Sequence, residues 1–478
     1  MTNLLEKIFK LKENHTSVKV EVLAGITTFM TMAYIIALNP NLLTGFGANG
    51  GQELWNAVFM ATVLSAAAGT LVMAFLANKP FALAPGMGLN SYFATIVASI
   101  VAAAGYETYV EGFQAGLSII LISGILFTIL TLLRIREKIV DAIPKAVRLG
   151  IPAGIGFMLI NVGFTTNAGI YDENGNAYYM LTNFFSDGPS ATKAALGDQY
   201  PLMVLYVLTM FFGLFLIAVL HHKKVKGSIL IGMIFSSVAY WAGSFALGNN
   251  PFAGLSQASF IPPFKDMFEL TFFKFNFKGL FSIGTFSAVM TIISFCMVDM
   301  FDTIGTLYGT AKKADMLDEN GNMQNMNKAL LSDSLATCFG ACTGTSTVTT
   351  FIESASGVEE GGRTGLASVV TGLLFLACMF IAPFAALIPA PATSAALIFV
   401  GVLMMGSLKE IDYTDYSQVV PVALLLIFMI GTSGIGNGIG IGLISYSIIK
   451  ICTGKRKEVS VLTLILSLLF IGKFFITF

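Results

Sequence analysis

Apolar runs of bilayer-crossing length recur along this whole sequence, and that one feature restricts the possible folds more than any other. A helix needs about 20 predominantly apolar residues to cross about 30 Å of hydrocarbon. Runs of about that length follow one another along the chain, with longer connections near 166–200 and 248–280. Of the 478 residues, 55% are hydrophobic and 11% charged, against about 25% charged in ordinary soluble domains. The sequence therefore describes an all-α polytopic membrane protein with no soluble domain left over.

The runs place spans at approximately 20–38, 54–77, 81–104, 114–134, 149–166, 201–221, 227–247, 281–309, 327–343, 346–358, 364–388, 392–407, 418–432 and 436–451. That gives about fourteen. Either 461–475 is a fifteenth, or the pieces from 418 to 451 form one broken crossing. The 48 glycines are spread through the runs, as expected where helices pack closely without a hydrophobic force between them. The 5 cysteines lie in or beside apolar runs and read as small packing residues.

The charged N-terminal segment lacks the pattern of a removable signal peptide. It reads as a cytoplasmic amphipathic lead-in. Basic clusters at Arg134–Lys138, Lys223–Lys226 and Lys312–Lys313 share its side, which the positive-inside rule makes cytoplasmic. The connections near 166–200 and 248–280 then lie outside. Zero net charge gives no electrostatic reason to expect nucleic acid. His15, His221 and His222 all fall in cytoplasmic segments, so no imidazole relay crosses the membrane. The polar stretches starting at Asp172 and Asp318 read as turns without calcium-loop spacing, and "EEGGR" at 359–363 as a cytoplasmic turn.

Three segments break the apolar pattern. "KPFALAPGMGLNSYF" sets Pro80, Pro85, Gly86 and Gly88 against regular helix ahead of Asn90. "SFCMVDMFDTIGTLYGT" carries Asp299 and Asp302 at the end of an apolar run. "TGTSTVTTFIESASGVEEGG" leads with a hydroxyl-rich, β-branched run into Glu353. A charge near the bilayer centre costs roughly 2.5 to 3.5 kcal/mol on insertion scales, so such residues face a partner or a cavity.

Broken helices at matching positions of two halves point to a binding site at the membrane midplane. Asn90 and Glu353 would each begin a half-helix there, where free N–H groups lower the cost of an ionised Glu353. Asp299 and Asp302 share a helix face with Thr306 one turn on, and Gly305 and Gly309 keep that side open. The structural alternatives are a helix-capping Asn90 and a buried carboxylate pair satisfied by hydroxyls. One internal similarity supports two halves. "IPKAVRLGIPAGIG" from Ile143 and "IPAPATSAALIFVG" from Ile388 share Ile-Pro and a glycine at Gly156 and Gly401. Seven spans per half make the repeat inverted.

With those segments in hand, the chain resembles the nucleobase-cation symporter 2 superfamily, and more closely its adenine/guanine/hypoxanthine permease branch. The resemblance rests on "TTFMTMAYIIALNP" (27–40), "ALAPGMGLNSYF" (82–93), "VDMFDTIGTLYG" (298–309) and "TGTSTVTTFIESASGVEEGGRTG" (343–365), and runs over essentially the whole chain. It implies a 7+7 inverted repeat with short extended segments in spans 3 and 10. It also implies a core domain (1–137 and 281–388) and a gate domain (138–280 and 389–478). The family's acidic substrate residues fall on Asp302 and Glu353, with Asn90 the span 3 candidate. Uracil and xanthine branches usually carry glutamate at the position of Asp302.

The resemblance makes the chain a transporter, not an enzyme, that imports purine nucleobases across the cell membrane by proton symport. Thr306 and Phe351 join the substrate-binding candidates, with Tyr92 and Phe93 as further rings able to stack on a base. If protons are coupled, Asp299 or Asp302 carries them, since no imidazole is at hand. No cofactor or metal is called for. A homodimer through the gate domain is a further implication. The rival readings are a sulfate-type anion carrier of the same fold and an intramembrane aspartyl protease. An acidic site argues against the first, and two aspartates on one helix against the second.

Overall fold

The computed structural model describes residues 2–45, 49–133, 143–164, 193–194, 197–253, 259–314, 316–318, 323–432 and 434–475. The basic cluster at 134–138, most of the 166–200 connection with its stretch at 172, and 319–322 lie outside the described residues.

The chain begins with a short amphipathic helix, α1 (Thr2–Phe9), whose Phe9 is buried against Leu366. Ser17 caps α2 (Val18–Met32) through Val20 N–H. Helix breaks at Ala33–Tyr34 and resumes as α3 (Ile35–Leu43), where Pro40 has no N–H to give the preceding turn. After α4 (Gly51–Val72), which ends in a π turn over Met73–Ala77, the chain runs extended as β1 (Leu83–Pro85). The helices α5 (Met87–Ala104) and α6 (Tyr109–Leu132) follow.

Next come α7 (Lys145–Val162), α8 (Tyr200–His222) and α9 (Ser228–Ala246), with His221 and His222 closing α8. Two short helices, α10 (Phe264–Leu270) and α11 (Phe277–Leu280), lead into α12 (Thr285–Lys313), a 29-residue helix about 43 Å long. The chain continues through α13 (Met326–Thr343), β2 (Val348–Thr350) and the six-residue α14 (Ser354–Glu359). The sequence-based span at 346–358 is therefore a strand followed by a short helix. Span 11 is α15 (Gly365–Ala377), a 3-10 turn and α16 (Ala382–Ala386), which carries Pro383 in its first turn. The chain closes with α17 (Ala390–Met404), α18 (Tyr416–Gly431), α19 (Ile435–Cys452) and α20 (Val461–Phe475).

Gly438 lies against Met429 and Gly442 against Leu425, so sequence separation grows away from the turn. This is the signature of an antiparallel hairpin. The pieces from 418 to 451 thus form two legs, not one broken crossing, and 461–475 is a separate helix.

Among the described residues, eleven helices are long and apolar enough to cross a membrane, and α18 and the body of α20 are shorter apolar helices. The protein is a multi-pass membrane protein. Two packing groups are evident. The helices α2 to α6 pack with α12, α13 and α15, while α7 to α9 pack with α17 to α19. Glu21 of α2, fully buried, accepts from the N–H groups of Arg363, Thr364 and Ala367 at 2.8, 3.2 and 3.1 Å. A carboxylate from another helix thus serves the N-terminus of α15, whose first N–H groups have no partner of their own.

Small residues set the closest contacts. A Cβ added to Gly156 of α7 would sit 2.4 Å from the Gly401 carbonyl oxygen of α17, and one added to Gly401 would sit 2.5 Å from that of Gly156. The contact is reciprocal, as two related helices meeting on a symmetry axis would make it. Across the two groups, a Cβ on Gly88 of α5 would fall 2.2 Å from Cγ2 of Ile155 on α7.

Candidate functional site

The site is organised by the pairing of β1 with β2. The strands are antiparallel, with Leu83 opposite Thr350, Ala84 opposite Thr349 and Pro85 opposite Val348. Gly86 N–H to Thr347 C=O and Phe351 N–H to Ala82 C=O, both 3.0 Å, close the pair at its two ends. Each strand runs into a helix N-terminus, α5 after Gly86 and α14 after Glu353. Because the strands are antiparallel, the two helices start at opposite ends of the pair. Extended backbone of this kind is tolerated at membrane depth only inside protein or beside a cavity.

Asp302 and Glu353 are brought together beside this pair. Both are half-buried, Asp302 bonded to Thr349 of β2 and Glu353 following three residues after that strand ends. Asp302 Oδ2 accepts from Thr349 Oγ1 at 3.3 Å. A Cβ on Gly86 would lie 3.9 Å from that oxygen and 3.3 Å from Thr349, so glycine leaves room in front of the carboxylate. Glu353 Oε1 accepts from the Tyr34 hydroxyl at 2.8 Å, and Tyr34 sits at the break between α2 and α3. A Cβ on Gly305 would meet nothing within 4 Å and one on Gly309 only Ile352, which leaves that side of α12 open.

The other sequence-based candidates are placed differently. Asn90 is fully buried and its amide is engaged within the protein. It donates to Asn39 Oδ1 at 2.5 Å and accepts from Ser346 Oγ. Asn39 in turn donates to Thr62 and Thr345 at 2.6 and 2.9 Å. This network ties α3, α4 and α5 to the approach to β2. Asp299 is also fully buried and accepts from Thr337 of α13 at 3.1 Å, one turn away from Asp302 but toward another neighbour. Thr306 returns its hydroxyl proton to its own helix, at Asp302 C=O, 2.9 Å away. Its oxygen can still accept. The Phe351 ring is buried in the main core, and Tyr92 stacks on Phe295 with ring centroids 4.7 Å apart.

Two partners of the site carry no mark in the broken-segment pattern. Tyr34 is one, since a tyrosine in an apolar run is ordinary. Asp333 of α13 is the other. It is fully buried and accepts from Thr350 N–H at 2.8 Å, Thr350 Oγ1 at 3.0 Å and Thr303 Oγ1 at 2.5 Å. It thereby fixes β2 to α12 at the residue next to Asp302. A lone carboxylate in the run 327–343 is the same signal that singled out Asp299.

Comparison with known proteins adds identity to this geometry. The sequence description of the permease family matches residues 19–441. The chain is 36% identical to the adenine permease AdeQ of Escherichia coli (strain K12), over 98% of this chain and 95% of that protein. It is 37% identical to the guanine/hypoxanthine permease PbuO of Bacillus subtilis (strain 168), over 98% of this chain and 100% of that protein. Among solved structures, it is similar in fold to the transmembrane domain of a cyanobacterium bicarbonate transporter, BicA. That likeness has a TM-score of 0.62 at 15% identity and covers 89% of this chain and 97% of that one.

Proposed function

The chain belongs to the permease family, and we propose that it imports purine nucleobases, guanine or hypoxanthine and also adenine as a candidate, by proton symport. The observation that carries this reading is the pair of half-buried carboxylates, Asp302 and Glu353, held beside the antiparallel strand pair from which α5 and α14 start. An oxopurine is neutral, flat and edged with N–H donors, which acceptor-only carboxylates suit. Glu353 takes N1–H and the exocyclic amino group of guanine in a two-point contact, and Asp302 takes a ring N–H elsewhere. The relatives named for adenine and for guanine/hypoxanthine transport support this substrate class.

The remaining candidates take graded roles. Thr306 offers lone pairs one turn beyond Asp302, and Phe351, two residues before Glu353, is the ring proposed to stack on the base. Asn90 supports the site through its network, and a ligand contact by Asn90 requires that network to open. A proton on Asp302 or Asp299 loads together with the purine. The core (1–137 and 281–388) then moves against the gate (138–280 and 389–478), except that 264–280, bonded to the ends of α4, α6 and α13, travels with the core, and the site is exposed on the other side. Fourteen helices in two inverted repeats of seven fit two reciprocal contacts, Ala84 with Thr349 and Gly156 with Gly401. The reading places the N-terminus in the cytoplasm, the protein in the cell membrane and a homodimer contact on the gate.

The solved structures of similar fold include a bicarbonate transporter and an anion transporter, which keeps an anion carrier as the second reading. Two carboxylates in the site weigh against it, since they repel an anionic substrate. The test is uptake of radiolabelled hypoxanthine into purine-transport-deficient cells at acid and neutral pH, with guanine, adenine, uracil and xanthine as competitors. Uptake that rises with acidity and is blocked by guanine supports the proposal. Absence of purine uptake with the protein in the membrane overturns it. Asp302→Asn is expected to abolish pH-dependent accumulation while membrane levels persist, and unchanged coupling removes Asp302 from the proton path.

A further inference from the structure

We infer that the segment 264–281 is an aromatic anchor that lies in the headgroup-to-acyl boundary of the bilayer and is fixed to the helix group holding Asp302 and Glu353. Its inner side is docked on helix ends. Met267, Thr271 and Leu280 are buried. Thr271 Oγ1 donates to Thr343 C=O at 2.9 Å and Phe273 N–H to Cys342 C=O at 2.8 Å. These are last-turn carbonyls of α13, which have no partner within that helix. Gln114 of α6 donates to Leu270 C=O at 2.9 Å, and Asn56 of α4 to Asp266 at 2.7 Å. At Gly344, with φ of +116°, an added Cβ would fall 2.2 Å from Thr271. The segment is thereby held at the level where α4 and α6 begin and α13 ends.

Its outer side is apolar at that same level. Phe268, Phe273, Phe277 and Phe281 are 51, 60, 48 and 47% exposed. Contiguous exposed rings of this size mark an interaction surface. The occupant is lipid on two grounds. Phe281 leads directly into α12, where Val289 is also exposed, so the patch continues the outward apolar surface of a span. Lys265, Lys274 and Lys278, all exposed, alternate with the rings. Long basic side chains lay their stems on apolar surface and keep the ammonium group at headgroup level. Aromatic rings interleaved with lysines are the composition of elements that lie in the interface plane.

The test places a reporter ring there. Phe273→Trp and, separately, Phe277→Trp are made in the full chain and reconstituted in phosphatidylcholine vesicles. The emission of Trp55 and Trp241 is subtracted using the parent protein in the same vesicles. The expected result is loss of the added emission with lipids brominated near the headgroup end of the chain, and little loss with deeply brominated lipids or aqueous iodide. Quenching by iodide instead places the rings in water and overturns the inference. Quenching mainly by deep bromine places the segment inside hydrocarbon and overturns it too. Protection from all three means that protein, such as a second copy, covers the patch, and rejects a lipid occupant. Two separate positions keep the result readable if one variant fails to fold.

Discussion

Asp333 illustrates how a buried charge is kept in a membrane protein. Three donors converge on its carboxylate, two from Thr350 and one from Thr303. A hydrogen bond to a charged group contributes about 1.5 to 3 kcal/mol, and a donor left unpaired costs about 1 to 3 kcal/mol. Thr303→Val removes one donor and is expected to lower detergent thermal stability by about 2 kcal/mol. Asp333→Ala strands the Thr350 N–H and is expected to cost more, and an Asp333→Ala melting point equal to the parent's would refute this account. Tyr34 poses the complementary case. Its hydroxyl holds Glu353 at 2.8 Å, so Tyr34→Phe leaves Glu353 short of a donor in the empty site. Uptake is expected to fall severalfold with protein level retained, and an unchanged KM and rate would remove Tyr34 from the site. Residue-scale signals in the sequence divide along the same line. Asp302 and Glu353 were legible because charge inside an apolar run demands compensation. Tyr34 was not, because its partner is 319 residues away and phenol is ordinary in such a run.

At the level of elements, Pro and Gly punctuation made the break before α5 readable, and the hydroxyl-rich, β-branched run did the same for the break before α14. What the sequence did not carry was the pairing itself, which joins three-residue strands 265 positions apart at Ala84 and Thr349. Nor did it carry the fate of Asn90, whose partners Asn39 and Ser346 come from other segments. Local rules act more simply at α18. Asp415 accepts from Ser417 N–H at 2.9 Å as its N-cap and also receives Ser417 Oγ and Gln418. The Ser417 hydroxyl, then Gln418, then the Lys450 charge hold its carboxyl well below the usual carboxylate range. A depressed carboxyl stabilises the fold above its unfolded pKa of about 3.9 and loses that contribution as pH falls below it. Asp415→Ala is therefore expected to cost about 1 kcal/mol at neutral pH. The gap between parent and variant should begin to narrow as pH falls below about 4 and close only as pH passes the depressed folded-state value; a gap independent of pH would assign the effect to packing.

Over the whole molecule, one of the contacts between the two helix groups is ionic. Lys226, in the turn between α8 and α9, pairs with Glu360 at the C-terminal end of α14. The adjacent Gly227 lies against the Met30 carbonyl of α2, with an added Cβ 3.2 Å away. The six residues of α14 thus join Glu353 at one end to this contact at the other. From sequence alone the basic cluster Lys223–Lys226 and "EEGGR" read as two cytoplasmic segments, since nothing local in either names the other. If transport moves one group against the other, this pair must part during the cycle, so it biases the resting state toward the conformation described here. The pair is partly exposed, with side chains 44 and 24% accessible, so its contribution is up to about 1 kcal/mol, or roughly fivefold in a two-state equilibrium. Lys226→Glu and Glu360→Lys, each placing like charges together, are expected to shift the KM for uptake by a few-fold in the same direction. The exchanged pair, carrying both substitutions, should return it to within about twofold of the parent. Because residues in contact are non-additive while independent sites add, summed single effects in the double variant would show that the two charges do not act on each other, and the ionic boundary would play no part in the cycle.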